Sequence, residues 1–234
     1  MSTDRRSIKR GCGVTFQRAR NEEQRGIRRR AILDTAAAML SEMPVADLSL
    51  NELSRRVGLA KSNVLRYFES REAVLLVLLD DFLGTWLAAL AQELEAGIDP
   101  HAALEERADL LARILSQSLA AQKVMCDLFG AQGGVLEHNV SVEVVKAHKR
   151  SSLAKVADMS ELLRRHVPEL GERAQFFCLL SLLSAGALAA YAPPPASLVA
   201  AYAEEPALGA LHMEPCDALH SAFAATLLGL LPRK

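Results

Sequence analysis

Aromatic residues are scarce, seven Phe, three Tyr and one Trp in 234 positions. Runs of β-branched residues and polar–apolar alternation are few, while Ala and Leu dominate. Sheets favour what is missing and helices favour what is abundant, so the composition predicts an all-α fold. The four cysteines, Cys12, Cys126, Cys178 and Cys216, lie far apart without CxxC spacing, and no nearby histidine completes a ligand set. That pattern excludes a disulfide scaffold and a structural zinc site; free thiols in a reducing compartment and no bound metal are expected. The first sixteen residues lack the apolar run of a signal peptide. The stretch around Ser181, Ser184 and Gly186 is too interrupted for a membrane span. A cytoplasmic protein with no membrane partner is expected. Catalytic signatures are also missing: there is no HExxH, no GxSxG and no phosphate-cradling glycine loop, and the six histidines are scattered. Neither an enzyme nor a cofactor is expected.

Half the residues are apolar, enough for a sizeable core in a chain of this length. The net charge of −1 hides an asymmetry. Up to Arg71, fifteen Lys and Arg stand against eight Asp and Glu, a balance of +7; beyond it twelve stand against twenty, a balance of −8. A basic front on an acidic body suits a nucleic-acid-binding module joined to a body that does not bind nucleic acid. Six of the front's cations fall within the first 20 residues, so a solvated basic tail is the competing account.

The most informative stretch is LSLNELSRRVGLAKSNVLRYFESREAVL, residues 48–75. Ser49 stands where a helix cap belongs, ahead of Leu50, Leu53 and Val57. Gly58 breaks the pattern and supplies a turn. A second short helix follows, with Val64 and Phe68 four apart on one face. Two short helices around a glycine-containing turn are the sequence form of a helix-turn-helix. Val57, Leu59, Val64, Leu65 and Phe68 read as core. Lys61, Ser62, Asn63, Arg66 and Tyr67 face outward, with no carboxylate among them until Glu69. Such a face suits a DNA major groove.

In chain order, residues 1–20 read as a basic flexible arm. Asn21 and Gln24 resemble a capping box, opening a helix to about Met43 that Pro44 ends. Its buried stripe is Ile32, Ala36, Met39, Leu40 and Met43, and Arg28, Arg29 and Arg30 lie near its start. Ser70 caps a long helix, ended by Gly97, that joins the front to the body. A helix from Pro100 to about 120, the segment KVMCDLF, a loop at Gly133-Gly134 and a long helix over 137–166 follow. Glu172 to Tyr191 is a helix rich in small residues, which admit a close neighbour. Pro193-Pro194-Pro195 breaks it, and Pro215 starts the last helix. The expected domains are 1–20 (arm), 21–69 (DNA-binding) and 70–234 (regulatory and dimerising).

On the 48–75 stretch the chain resembles a TetR-family transcriptional regulator. The shared pattern is a capping Ser, a helix, a Gly-centred turn, a recognition helix ending in Phe, and Ser-Arg-Glu opening the fourth helix. The resemblance implies an N-terminal three-helix DNA-binding domain, a C-terminal ligand-sensing and dimerisation domain, and double-stranded DNA as partner. It puts Lys61, Ser62 and Asn63 at the start of the recognition helix, Arg66 and Tyr67 at its end, and Arg71 and Ser49 at phosphates, with Arg28 on the basic approach. Two departures are Leu65, where many members have Tyr, and Ala60, where a Ser cap is frequent.

One recognition helix buries too little surface for tight specific binding, so a homodimer on a palindromic operator is expected. The resemblance implies a four-helix dimer bundle, assigned to Leu179, Leu183 and Leu188 with Phe223, Leu227 and Leu230. It also implies a small-molecule effector in the body. Phe82, Trp86, Met125, Phe129, Val144 and His148 are the pocket candidates, suited to a predominantly apolar ligand. The functional expectation is a ligand-responsive repressor; the rival is a ligand-independent architectural DNA binder.

Overall fold

The computed structural model describes residues 11–191 and 194–232, with side chains from residue 22 onward. Ten α-helices and no strand occur among the described residues, as the composition predicts.

The head is built from α1 (Gly11–Leu40), α2 (Leu50–Val57) and α3 (Lys61–Val64), with α4 (Arg71–Gly97) running from it into the body. Helix α1 starts ten residues ahead of Asn21 and runs through it. Residues 11–20, expected as part of an arm, are therefore helical; residues 1–10 lie outside the described residues. Ile32, Ala36, Met39 and Leu40 form the buried stripe of α1, and the helix ends before Pro44. Both predicted caps form. Ser49 Oγ accepts from the Glu52 N–H at 3.2 Å, and Ser70 Oγ accepts from the Ala73 N–H at 3.1 Å. Gly58 closes α2 at φ +73°, a conformation that costs other residues a clash at Cβ.

The body comprises α5 (Leu104–Ala121), α6 (Lys123–Ala131), α7 (Val142–His166), α8 (Arg173–Ala189), α9 (Ala196–Glu204) and α10 (Pro215–Leu230). Helix α7 packs on α4 and α8, α6 on α8, and α10 on α5 and α8. Three boundaries differ from expectation. Helix α5 begins at Leu104, not Pro100, because the Asp99 carboxylate takes the His101 N–H at 2.9 Å and holds a turn. Gly133-Gly134 lies inside a π-helical turn, Gln132–Leu136, instead of a loop. The helix expected from 137 starts at Val142, because extended Val140 separates the short 3-10 turn Glu137–Asn139 from the cap at Ser141.

Small residues in α8 let α6 approach at Gly186. A Cβ there would lie 2.8 Å from Gly130 N and 2.9 Å from Phe129 C. Phe177 of α8 meets Phe223 of α10 edge to face, with centroids 5.8 Å apart. Helix α4 is long and apolar enough to cross a membrane by length and composition. More than half of that stretch is buried inside the fold, which makes it the molecule's central core helix.

A further anchor joins three body elements. The Arg107 guanidinium is buried and donates to the Ala102 and His166 carbonyls and, through two nitrogens, to the Glu169 carboxylate at 2.6 and 3.1 Å. The guanidinium beside it holds the Glu169 carboxyl below the usual carboxylate range. This fork geometry supplies a near-complete partner set for a charge that burial otherwise penalises.

Candidate nucleic-acid interface

Val64 and Phe68 are buried and pin the second helix of the helix-turn-helix to the core. Regular helix lasts only from Lys61 to Val64; the chain then continues through tight turns to Phe68, held by Val64 O accepting from the Tyr67 and Phe68 N–H groups. The recognition helix is therefore shorter than its expected end near Phe68. Ala60 provides no side-chain cap, consistent with its replacing a hydroxyl residue. Lys61, Ser62, Asn63 and Arg66 are exposed together, while Tyr67 is half-buried. Leu65, expected in the core, is 42% exposed and stands among the donors.

The other cations near this face have distinct environments. Arg55 forms a two-pronged pair with Glu52 at 2.6 and 2.8 Å. Arg56 bridges Glu52 and Glu42 at 2.9 and 2.6 Å. Arg55 first, and Arg56 with it, hold the Glu52 carboxyl down to about 2. Arg71 is half-buried; it donates to the Ala46 and Leu48 carbonyls at 3.2 and 2.8 Å and pairs with Glu72 at 3.1 Å. It thereby fixes the loop leading into Ser49. Arg28 and Ser49 are exposed. Arg29 lies 4.2 Å over the Phe68 ring and donates to Tyr67 O at 3.3 Å, tying α1 to the end of the recognition segment.

Head and body are joined by more than the length of α4. The Ser141 N–H, at the start of α7, donates to Glu69 Oε1 at 2.5 Å. The Val45 N–H donates to Asp127 Oδ2 of α6 at 2.9 Å. Beneath Glu69 a cavity of about 490 Å³ lies between the head and the α4–α7 pair.

Of the expected pocket residues, only Val144 and His148 line this cavity. Trp86 and Met125 belong to the packed core; the Trp86 indole N–H is satisfied by Ser118 Oγ at 2.9 Å. Phe82 and Phe129 are half-buried against that core. Sequence reasoning missed Arg29, Phe68, Asp80 and Ser151 as lining residues. A signal was available, because Ala73, Val77 and Asp80 on α4 and Val144, His148 and Ser151 on α7 share the same i, i+4, i+7 spacing.

The expected dimer contacts divide similarly. Leu179 and Leu183 are exposed, at 44% and 69%, and Leu188 and Leu230 are half-buried. Phe223 and Leu227 are buried in the subunit's own core, drawn inward by Phe177 and α5, and are unavailable to a partner.

Two family models cover nearly the whole described chain. Bacterial regulatory proteins of the tetR family match residues 32–78, and the tetracyclin repressor-like C-terminal domain matches residues 80–234. The chain belongs to the TetR family. That family comprises helix-turn-helix, DNA-binding transcription regulators. The HTH-type transcriptional regulator EthR of Mycobacterium tuberculosis is 46% identical over 50 residues, 21% of this chain and 23% of that protein. RutR of Escherichia coli is 28% identical over 99 residues, 42% of this chain and 46% of that one. These matches span less than half of either relative. Among solved structures, Thermus thermophilus FadR, a TetR-family repressor in complex with lauroyl-CoA, superposes with a TM-score of 0.53 at 16% identity. That match covers 88% of this chain and 96% of that one, and shows a shared fold.

Proposed function

We propose that this TetR-family regulator is a homodimeric, ligand-responsive repressor that acts in the cytoplasm on a palindromic operator. The observation carrying the reading is the exposed donor face of Lys61, Ser62, Asn63 and Arg66, pinned by Val64 and Phe68 and braced to the body at Glu69. Asn63 and Ser62 offer base-edge contacts, and Lys61, Arg66 and Tyr67 engage the backbone. Ser49, at the N-terminus of α2, and Arg28 add phosphate contacts. Arg71 serves the interface mainly by holding the 46–48 loop.

Dimerisation is supported by apolar residues left exposed at helical spacing, Phe176, Leu179 and Leu183 on α8 and Leu228 on α10. Paired across a twofold axis, these helices form a four-helix bundle. An effector in the body then shifts α4 and α7, and with them the separation of the two heads.

A gel-shift titration against the DNA upstream of the protein's own gene tests this reading. A specific band is expected at low salt, and Tyr67→Ala weakens it while leaving the sedimentation coefficient unchanged. Absence of a specific band contradicts DNA recognition; a Tyr67→Ala variant that dissociates contradicts the separation of roles.

A further inference from the structure

Two hydrogen bonds between head and body bracket the helix-turn-helix. Four residues ahead of the Ser49 cap, the N–H of buried Val45 donates to Asp127 Oδ2 of α6 at 2.9 Å. One residue past Phe68, Glu69 Oε1 accepts from the Ser141 N–H at the start of α7 at 2.5 Å. The brackets have opposite polarity: the body supplies the carboxylate at one end of the motif, and the head supplies it at the other.

Each bond has a physical reason to form. Ser141 is the N-cap of α7, so its N–H has no partner within that helix, and a carboxylate there meets the positive end of a 25-residue helix. Among the described residues neither Glu69 nor Asp127 forms an ion pair, and each accepts from one backbone amide. Packing alone does not fix the head on the α7 side. The cavity of about 490 Å³ is lined by Tyr67 and Phe68 of the head and by Val144 and His148 of α7, so the Glu69 bond crosses the seam beside open space. On the other side, Arg71 ties the Ala46 and Leu48 carbonyls to the start of α4, so a hold on Val45 is a hold on the whole head.

We infer that Glu69 and Asp127 are positioning residues that set which half-site spacing the protein accepts. Held at both ends, the helix-turn-helix has one orientation on the body. In a twofold dimer, one orientation gives one separation of the two recognition segments. A single added base pair moves a half-site by about 3.4 Å along the duplex, a displacement that a bracketed head does not follow. With either end released, the head tilts and accepts both spacings. The inference rests on the homodimer reading and adds the residues that define operator geometry.

The test uses the full chain and the palindromic duplex that the wild-type protein selects from a random-sequence pool, with one base pair then inserted or removed between its half-sites. By fluorescence anisotropy, wild type is expected to lose at least about tenfold in affinity on either change, the worth of one charge-assisted hydrogen bond. The double variant Glu69→Ala, Asp127→Ala is expected to lose less than about threefold on the same scale. Glu69→Gln and Asp127→Asn, which keep an acceptor oxygen, restore most of the wild-type penalty. Affinity for a duplex with a single half-site stays within about twofold throughout, which a merely destabilised head does not allow. Without DNA, hydrogen exchange at the Ser141 amide speeds by at least about tenfold in Glu69→Ala. A wild-type protein that sediments as a monomer overturns the dimer reading and the spacing role together. A dimer whose spacing penalty survives the double substitution, or Ser141 exchange unchanged in Glu69→Ala, overturns the spacing role alone.

Discussion

His148 carries a pH dependence that can be measured without any ligand. Burial lowers its pKa in the folded state from the ordinary 6.5, and His166 shifts the same way for the same reason. Below 6.5 the unfolded chain therefore binds more protons than the folded one. The stability these rings contribute is complete above that pH and falls as the pH drops through 6.5 towards their folded values. Urea midpoints are expected to fall between pH 8 and pH 5, and His148→Phe to flatten part of that slope; an unchanged slope contradicts the burial argument. At this scale the sequence was partly legible. Val64 and Phe68 read as core because i, i+4 spacing survives even in a short, irregular helix. Leu65 did not, because the tight turn after Val64 swings it outward. The carbonyl partners of Arg71 on Ala46 and Leu48 were not legible, because they exist only once the loop has folded back onto α4.

Between elements, the close crossing of α6 and α8 is the most sensitive point. A methyl group at Gly186 meets Phe129 and Gly130 backbone atoms under 3.0 Å away, and backbone cannot rotate aside as a side chain can. Gly186→Ala is expected to cost about 1–3 kcal/mol, read as a lower denaturant midpoint with an unchanged m-value. A neutral result contradicts the packing described. Element boundaries were legible where a local chemical device sets them: the hydroxyl caps at Ser49 and Ser70, the glycine at 58 and the proline at 215. They were misread where a familiar pattern had no local consequence. Asn21 and Gln24 look like a capping box, yet α1 passes through them. Asp99-Pro100 looks like a helix start, yet the Asp99 carboxylate stabilises a turn.

Across the whole molecule, the acidic body corresponds to the second family-matched segment, 80–234, whereas the excess positive charge of the front lies ahead of residue 32, since 32–78 holds five Lys and Arg against six Asp and Glu. The helix-turn-helix was readable because its caps, turn and core residues are consecutive. The dimer face was not readable in full, because an apolar stripe does not say whether a neighbouring helix or a second copy covers it; Phe223 went inward and Leu183 stayed out. Leu183→Glu is expected to leave subunit stability within about 0.5 kcal/mol while shifting sedimentation from dimer to monomer and weakening DNA binding. A variant that stays dimeric removes α8 from the interface.

The central claim is that the short face from Lys61 to Arg66 reads a DNA sequence. Fluorescence anisotropy with a duplex from the gene's upstream region and a scrambled duplex of equal length tests it most directly. Binding to the upstream duplex is expected to be at least on the order of 10³-fold tighter at moderate salt, with Asn63→Ala losing most of that ratio. Equal affinity for both duplexes, or a ratio untouched by Asn63→Ala, contradicts it.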